Sequence, residues 1–425
     1  MWLGAVICLQ PHLLVDGMCT SEEHMSQSIV HEASPATKQA WKPTLLIALL
    51  AGQFIAFGLV LGVQGVILAE VMLALALTEG IFGTVQLALP VVGFLVLMFN
   101  SQLYLRLGNK WQSILSLLLL VSAMLVLATI ANLWGLILGL ILSGAGFAML
   151  DAATNSASMD FEQASGRHIL NVMHGLSSGG VMVGAFITGF ALESGWSYQA
   201  VAIASAAICC SPIILATFPA RYPTASQAQT ESADSADGSF HKKPLFIALA
   251  SICFLGSASE AIAVVWTVIY LLGLEASIAL SGTVFALFNG AMLLGRFINA
   301  PIVARLGSRV SLLISGIGML IAAALLLLFN TIPVSIVAFI ILGLAVAGIQ
   351  PTALSAAAPL SPNNSGAVAA PIMMSAYGAL LIAPLIYGWI AEFTALRPAM
   401  LLVGLFGLIT CWLTISIVGR HTAST

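Results

Sequence analysis

Apolar runs of about 20 residues, separated by short polar breaks, recur along this chain from residue 43 onward. A run of that length, wound as a helix, spans the ~30 Å hydrocarbon core of a bilayer. The pattern predicts twelve spans, at 45–69, 80–99, 112–131, 133–155, 168–192, 197–218, 244–272, 278–298, 310–330, 333–356, 366–390 and 397–418. The longest polar break in the body, ARYPTASQAQTESADSADGSFHKKP from Ala220 to Pro244, falls between the sixth and seventh. Its Ser, Ala, Asp and Gln predict a flexible linker with six spans on either side. The expected organisation is a disordered cytoplasmic tail 1–42, a six-helix bundle 43–219, a linker 220–243, a second six-helix bundle 244–420 and a tail 421–425. The opening stretch MWLGAVICLQPHLL is too short to span and lacks the basic start of a signal peptide, and Met18 and Met25 are alternative start positions.

The cations test this topology. With both termini in the cytoplasm of a plasma (inner) membrane, Lys38, Lys42, Arg106, Lys110, Arg167, Arg221, Lys242, Lys243, Arg296, Arg305, Arg309 and Arg420 all fall inside. Of the 13 Lys and Arg only Arg397 falls outside. A missed helix would scramble every later position, so the asymmetry supports both the count and the orientation.

Composition narrows the function. At 60% hydrophobic and 7% charged residues the chain is an all-α, multi-pass membrane protein. A net charge of −3 with scattered cations leaves no basic surface for nucleic acid. Six cysteines without metal-ligand spacing predict no metal site, and no cofactor is expected. HExxH and GxxxxGK[ST] are missing, which argues against a zinc protease and an ATP-driven pump, and no enzyme activity is expected. The expected partners are a small-molecule substrate, protons and the lipid bilayer, with the chain acting as a monomer.

Ionisable groups cost roughly 2.5 to 3.5 kcal/mol in a bilayer, so they mark ion or substrate pathways. Asp151 and Asn155 on the fourth span lie one turn apart, His174 is on the fifth, and Glu260 is halfway along the seventh. Glu70 and Glu79 fall at the ends of spans one and two. Counted at 1.5 Å per residue, Asp151 and His174 sit at similar depths, roughly 9 to 10 Å from the inner face. If their helices are neighbours the two can pair and exchange a proton. Alternatively, Asp151 and Asn155 bind loop backbone and cations and hold the inner gate shut. Glu260, with no basic residue in its own helix, is the cleaner proton carrier. Trp266 and Tyr270 follow it with an aromatic face and a hydroxyl suited to a ring substrate, although helix packing also accounts for them. Gln53, Gln64, Gln86, Asn289, Gln350 and Tyr377 are either interhelical ties or the polar wall of a central cavity.

One segment is duplicated. NSQLYLRLGNK from Asn100 aligns without gaps on NAPIVARLGSR from Asn299, 199 residues later, each after the second span of its half. A repeated six-helix unit of parallel orientation is a transporter architecture. These loops resemble the G-x-x-x-D-R-x-G-R-R signature of the major facilitator superfamily, which implies the fold of two six-helix bundles and places Arg106, Lys110, Arg296, Arg305 and Arg309 at a cytoplasmic gate. The signature's Asp is replaced by Leu105 and Ala304, so the acidic partner of these cations has to come from elsewhere.

Gly146, Asp151, Asn155, Leu170, Asn171, His174, Glu260 and Trp266 further resemble a pattern of the fucose and glucose/galactose permease branch. That resemblance implies proton-coupled symport of a monosaccharide or similar small polar solute by alternating access. Its proton-coupling candidates are Glu260, Asp151 and His174, and its substrate-binding candidates are Asn155, Gln53, Gln86, Trp266, Tyr270, Asn289, Gln350 and Tyr377. GVMVGAFITG in the fifth span is reminiscent of proton antiporters but has Ala185 in place of their Pro. Export of an amphipathic compound is the alternative, and a non-transporting receptor or scaffold is a third.

Overall fold

A computed structural model describes residues 43–129, 132–165, 167, 169–217, 243–360 and 365–419. The expected tail 1–42, the linker up to residue 242 and Arg420 lie outside them. Residues Lys42–Thr425 form one compact unit. All regular structure among the described residues is helical. The helices are α1 (Pro43–Ala74), α2 (Glu79–Val85), α3 (Ala88–Met98), α4 (Asn100–Ala128), α5 (Leu133–Ser165), α6 (Leu170–Glu193) and α7 (Tyr198–Thr217), then α8 (Pro244–Leu272), α9 (Ile278–Leu328), α10 (Ile332–Ala347), α11 (Ile349–Ala357), α12 (Ser365–Phe393), α13 (Leu396–Ala399) and α14 (Leu401–Leu413).

Ten helical stretches among the described residues are long and apolar enough to cross a membrane. Two of the expected spans are hidden in that count. α9 has 51 residues, which at ~1.5 Å each would run more than twice the ~30 Å core. It is broken at Gly307, whose φ of 81° and ψ of 166° are not helical. α7 is the other, an apolar helix of 20 residues. With α9 divided at Gly307 and α7 added, the described helices fall where the hydropathy pattern places spans, α2 with α3, α10 with α11 and α13 with α14 each sharing one.

The breaks have local causes. Gly108 interrupts α4 with φ 68° and ψ 164°, the counterpart of Gly307 in α9. That region of backbone space is closed to side chains, which is why the duplicated Arg-Leu-Gly carries its glycine. Pro90 has no N–H to offer the carbonyl of Gln86, and the helix shifts there from α2 to α3. Pro351 does the same to Ala347, where α10 gives way to α11.

The duplicated asparagines are structural ties. Asn100 accepts a hydrogen bond from Gln112 Nε2 at 2.5 Å. Asn299 accepts one from Ser311 Oγ at 2.5 Å and donates to Thr352 Oγ1 at 2.9 Å. Each therefore joins the two helices on either side of its loop glycine, and polar ties of this kind hold transmembrane helices together where hydrophobicity cannot.

Within the first seven helices α1 packs on α6 and α7, and α4 on α5 and α7; within the last seven α10 and α14 pack on α9, and α12 on α8. The two sets meet along two seams, α6 against α9 and α2 against α12. α6 touches α5 only lightly, because α1 is its main partner.

Candidate functional site

A cavity of about 350 Å³ lies between the two sets of helices. The first set contributes Phe57, Leu61, Gln64 and Leu68 from α1, and Gly144, Phe147, Ala148 and Asp151 from α5. Those α1 positions recur at spacings of four, three and four, one face of a helix. Gln86 enters at the α2–α3 offset that Pro90 creates. The second set contributes Glu260, Val264 and Val265 from α8, and Tyr377, Leu380 and Pro384 from α12. Five hydrogen-bonding side chains thus face one space: Gln64, Gln86, Asp151, Glu260 and Tyr377. Aliphatic, aromatic, proline and glycine residues make up the rest of the wall.

The carboxylates come from opposite sets of helices. Asp151 accepts a hydrogen bond from Asn155 Nδ2 at 2.9 Å, the one-turn pair expected on α5. Glu260 makes no hydrogen bond to any described residue, so its carboxyl is left to the cavity. Arg296 of α9 is within electrostatic reach of both Glu260 and His174. The cation assigned to the inner gate from sequence therefore stands beside the ionisable cluster.

Asp151 and His174 are also close enough to influence each other electrostatically, but no hydrogen bond joins them. The condition that their helices be neighbours is met only weakly, since α1 is the main partner of α6. His174 is exposed and lies edge-on to Phe54 of α1, with ring centroids 5.3 Å apart.

Several substrate candidates stand away from the cavity wall. Trp266 is fully buried, edge-on to Phe82 at 5.6 Å and 5.2 Å from the ring of Tyr387. Tyr270 is buried too, and its hydroxyl donates to the carbonyl of Leu326 at 3.3 Å. Both belong to packing at one end of the molecule, the bland reading of those aromatics. Asn289 donates to its own helix at Phe285 O, 2.9 Å away, and Gln350 donates to Met373 Sδ at 2.9 Å. Gln53 is completely buried and its amide finds no partner among the described residues. Of the named substrate candidates, Gln86 and Tyr377 face the cavity, and Asn155 reaches it through Asp151. Gln64 was legible only as one polar position among several, and Phe57, Phe94 and Phe147 carried no signal that set them apart from lipid-facing phenylalanines.

The loop cations Arg106, Arg305 and Arg309 are exposed and Lys110 is half-buried, all at the ends of helices beside Gly108 and Gly307. Arg309 lies over Gly419, at the end of the helix that follows α14. Asp160, buried on the last turns of α5, is within electrostatic reach of Tyr104 in the first loop. It brings a carboxylate near that segment from another helix.

Comparison with known proteins agrees with this architecture. The family model described as Major Facilitator Superfamily matches residues 49–370 and 249–424. An uncharacterized transporter, y4wD, of Sinorhizobium fredii is 27% identical over 278 residues, 64% of this chain and 71% of the relative. Membrane protein MosC of Rhizobium meliloti is 22% identical over 366 residues, 86% of this chain and 88% of its own. Among solved structures, a mutant of the nucleoside transporter NupG superposes with a TM-score of 0.76 at 14% identity, covering 88% of this chain and 99% of that one. A bacterial homolog of the human lysosomal transporter Spinster, in an inward-facing and occupied conformation, gives 0.66 at 14% identity, covering 88% and 97%.

Proposed function

The chain belongs to the Major Facilitator Superfamily, and from that premise we propose that it is a proton-coupled symporter of a small polar solute working by alternating access. A member of this family is a multi-pass membrane transporter of small molecules and not an enzyme. The observation that carries the finer reading is the placement of Asp151 and Glu260, one from each set of helices, on the wall of a single cavity. An ionised carboxylate facing an apolar wall is costly, so Glu260 is stabilised by taking up a proton or by a cationic neighbour such as Arg296. A group with two such states, reached from one side of the membrane and then the other, is a proton carrier.

In this reading the helices 43–219 and 244–420 act as two bundles that rock about the cavity, with both termini in the cytoplasm of the plasma membrane. The end bearing Gly108 and Gly307 is then cytoplasmic. The contacts between the bundles gather at the opposite end, which makes the conformation inward-facing. Gln64, Gln86 and Tyr377 orient the solute by hydrogen bonds, while the phenylalanines and leucines cover a flat apolar face. A sugar ring presents such a face, and so does a nucleoside. The nucleoside transporter among the structural neighbours shares the fold at 14% identity and lends this chain no substrate.

The test is Glu260→Gln in proteoliposomes, since the amide mimics the protonated carboxyl. Uphill accumulation driven by a pH gradient is expected to disappear while counterflow of labelled solute between equal pools persists. Accumulation that survives would remove Glu260 from coupling. The predominantly apolar wall favours a second reading, export of an amphipathic compound. Thermal-shift measurements with monosaccharides, nucleosides, polyols and hydrophobic amines separate the two, because a ligand at 100 times its Kd stabilises the folded state by about 2.7 kcal/mol.

A further inference from the structure

Two carboxylates cross from one set of helices to the other at the closed rim, and the cavity chemistry uses neither. Glu392, near the end of α12, accepts the backbone N–H of Gly80 at 2.9 Å. Glu193, the last residue of α6, accepts the backbone N–H of Ala279 at 3.3 Å. Both receiving positions are in the first turn of a helix whose N-cap hydroxyl is already engaged. Thr78 accepts the N–H of Ile81 at 3.5 Å, and Ser277 accepts that of Leu280 at 3.3 Å. Each helix start therefore has one orphan donor satisfied from within its own set and the preceding one satisfied by a glutamate of the opposite set.

The two assemblies are copies. Ser277, Ala279 and Glu392 stand 199 residues after Thr78, Gly80 and Glu193 respectively, the interval that separates the duplicated loops. Around them the same spacing places close approaches. A Cβ on Gly388 would lie 3.3 Å from Gly83 Cα, and one on Gly282 would lie 3.2 Å from Gly189 Cα.

We propose that Glu193 and Glu392 are paired latches that hold the rim closed, each by completing the N-terminal cap of a helix in the opposite bundle. This rests on the alternating-access reading above. When the rim opens, both glutamates leave, and two backbone N–H groups at the positive ends of two helix dipoles lose their anionic partners together. Opening at one seam without the other breaks the pseudo-twofold relation between them, so the latches favour a rim that opens as a unit. A carboxylate at an exposed helix N-terminus shifts such an equilibrium about two- to fivefold, and the two together about four- to twenty-fivefold if they add.

The experiment reads the rim directly. Spin labels at Leu73 and Leu401, both exposed and both outside the latches, report rim-closed and rim-open populations by pulsed dipolar spectroscopy on the full chain in nanodiscs. Glu193→Ala and Glu392→Ala are each expected to raise the open-to-closed ratio about two- to fivefold, and the double variant by about the product. Glu→Gln, which keeps an acceptor oxygen without the charge, should fall between. Thr78→Ala and Ser277→Ala weaken the same helix ends from within one bundle, in both conformations, and should leave the ratio unchanged. Two populations whose ratio ignores the glutamates would overturn the latches and leave alternating access standing. An equal response to the hydroxyl variants would also overturn them, because any damage to the helix start would then suffice. A single population in every variant would overturn alternating access and the latches with it.

Discussion

The α2–α12 seam allows a prediction worked from distances. At Gly388 an added Cβ would lie 2.7 Å from the carbonyl oxygen of Glu79, 2.9 Å from a ring carbon of Trp266 and 3.3 Å from Gly83 Cα. Two of these neighbours are backbone and the third is a fully buried indole, so none can swing aside as a flexible side chain would. Overpacking of this kind costs about 1–3 kcal/mol. The methyl group meets Glu79 and Gly83 of the opposite set only while the rim is closed, so that part of the cost falls on that conformation alone, whereas the contact with Trp266 of its own set is common to both. Gly388→Ala should therefore raise the fraction with an open rim by roughly fivefold to a hundredfold, at about 1.4 kcal/mol per factor of ten.

The assay is alkylation of a cysteine placed at Val265, on the cavity wall, by a membrane-impermeant maleimide added to sealed vesicles from the rim side. The chain's own six cysteines are first replaced by alanine. Gly388→Ala should accelerate labelling in proportion to the open fraction. Gly378→Ala on the same helix is the control, because its added Cβ has one neighbour, a ring carbon of Phe254 at 3.9 Å, an ordinary contact. Labelling unchanged by Gly388→Ala, in a chain that melts normally, would show that the seam absorbs a methyl group without parting. Equal acceleration by Gly378→Ala would show that the effect comes from helix propensity and has nothing to do with the seam.

Further expectations concern stability and coupling. Asn299→Ala removes two short interhelical hydrogen bonds and Asn100→Ala one, at ~0.6 kcal/mol each. Thermal melting in detergent should show the larger drop for Asn299→Ala, and the reverse order would refute the tie. Trp266→Phe keeps a ring between Phe82 and Tyr387 and discards an indole N–H that has no partner among the described residues. It should cost well under the ~3–5 kcal/mol of Trp266→Ala, and equal losses in denaturation would mean that the N–H is in use. Asp151→Asn and His174→Gln should be non-additive in transport, as electrostatic neighbours are; additive losses would separate them.

How much of this could be read from the chain differs by feature. The spans were legible because lipid requires long apolar helices, and the loop repeat was legible because Gly108 and Gly307 occupy a conformation only glycine tolerates. Asp151 and Glu260 stood out because carboxylates in apolar runs are rare. The neighbours of a helix were not legible. Nothing in the sequence says that α1 is the chief partner of α6, so the depth match between Asp151 and His174 suggested a pair that the packing does not complete as a hydrogen bond. Direction around a helix was equally hidden in α8, where every face is apolar. Glu260 faces the cavity while Trp266, six residues on, packs at the rim. Arg296 looked like a gate cation because it precedes the duplicated loop, and its position one turn before Asn299 leaves it within reach of Glu260.

The duplication itself sorts the residues by role. At the 199-residue interval the parts of the rim match: Thr78 with Ser277, Gly80 with Ala279, Gly83 with Gly282, Gly189 with Gly388, and Glu193 with Glu392. The loop glycines Gly108 and Gly307 match as well. The ionisable cluster does not, for Glu260 faces Leu61 across the repeat, Asp151 faces Gln350 and His174 faces Met373. A seam between two related bundles closes best when both sides present the same shape twice, so symmetry there lowers the cost of shutting the rim. A binding site for an asymmetric solute and a few protons gains nothing from being doubled, since a second carboxylate in each pair would add like-charge repulsion inside an apolar cavity. Closure thus depends on what the halves share, and selectivity and coupling depend on where they have diverged.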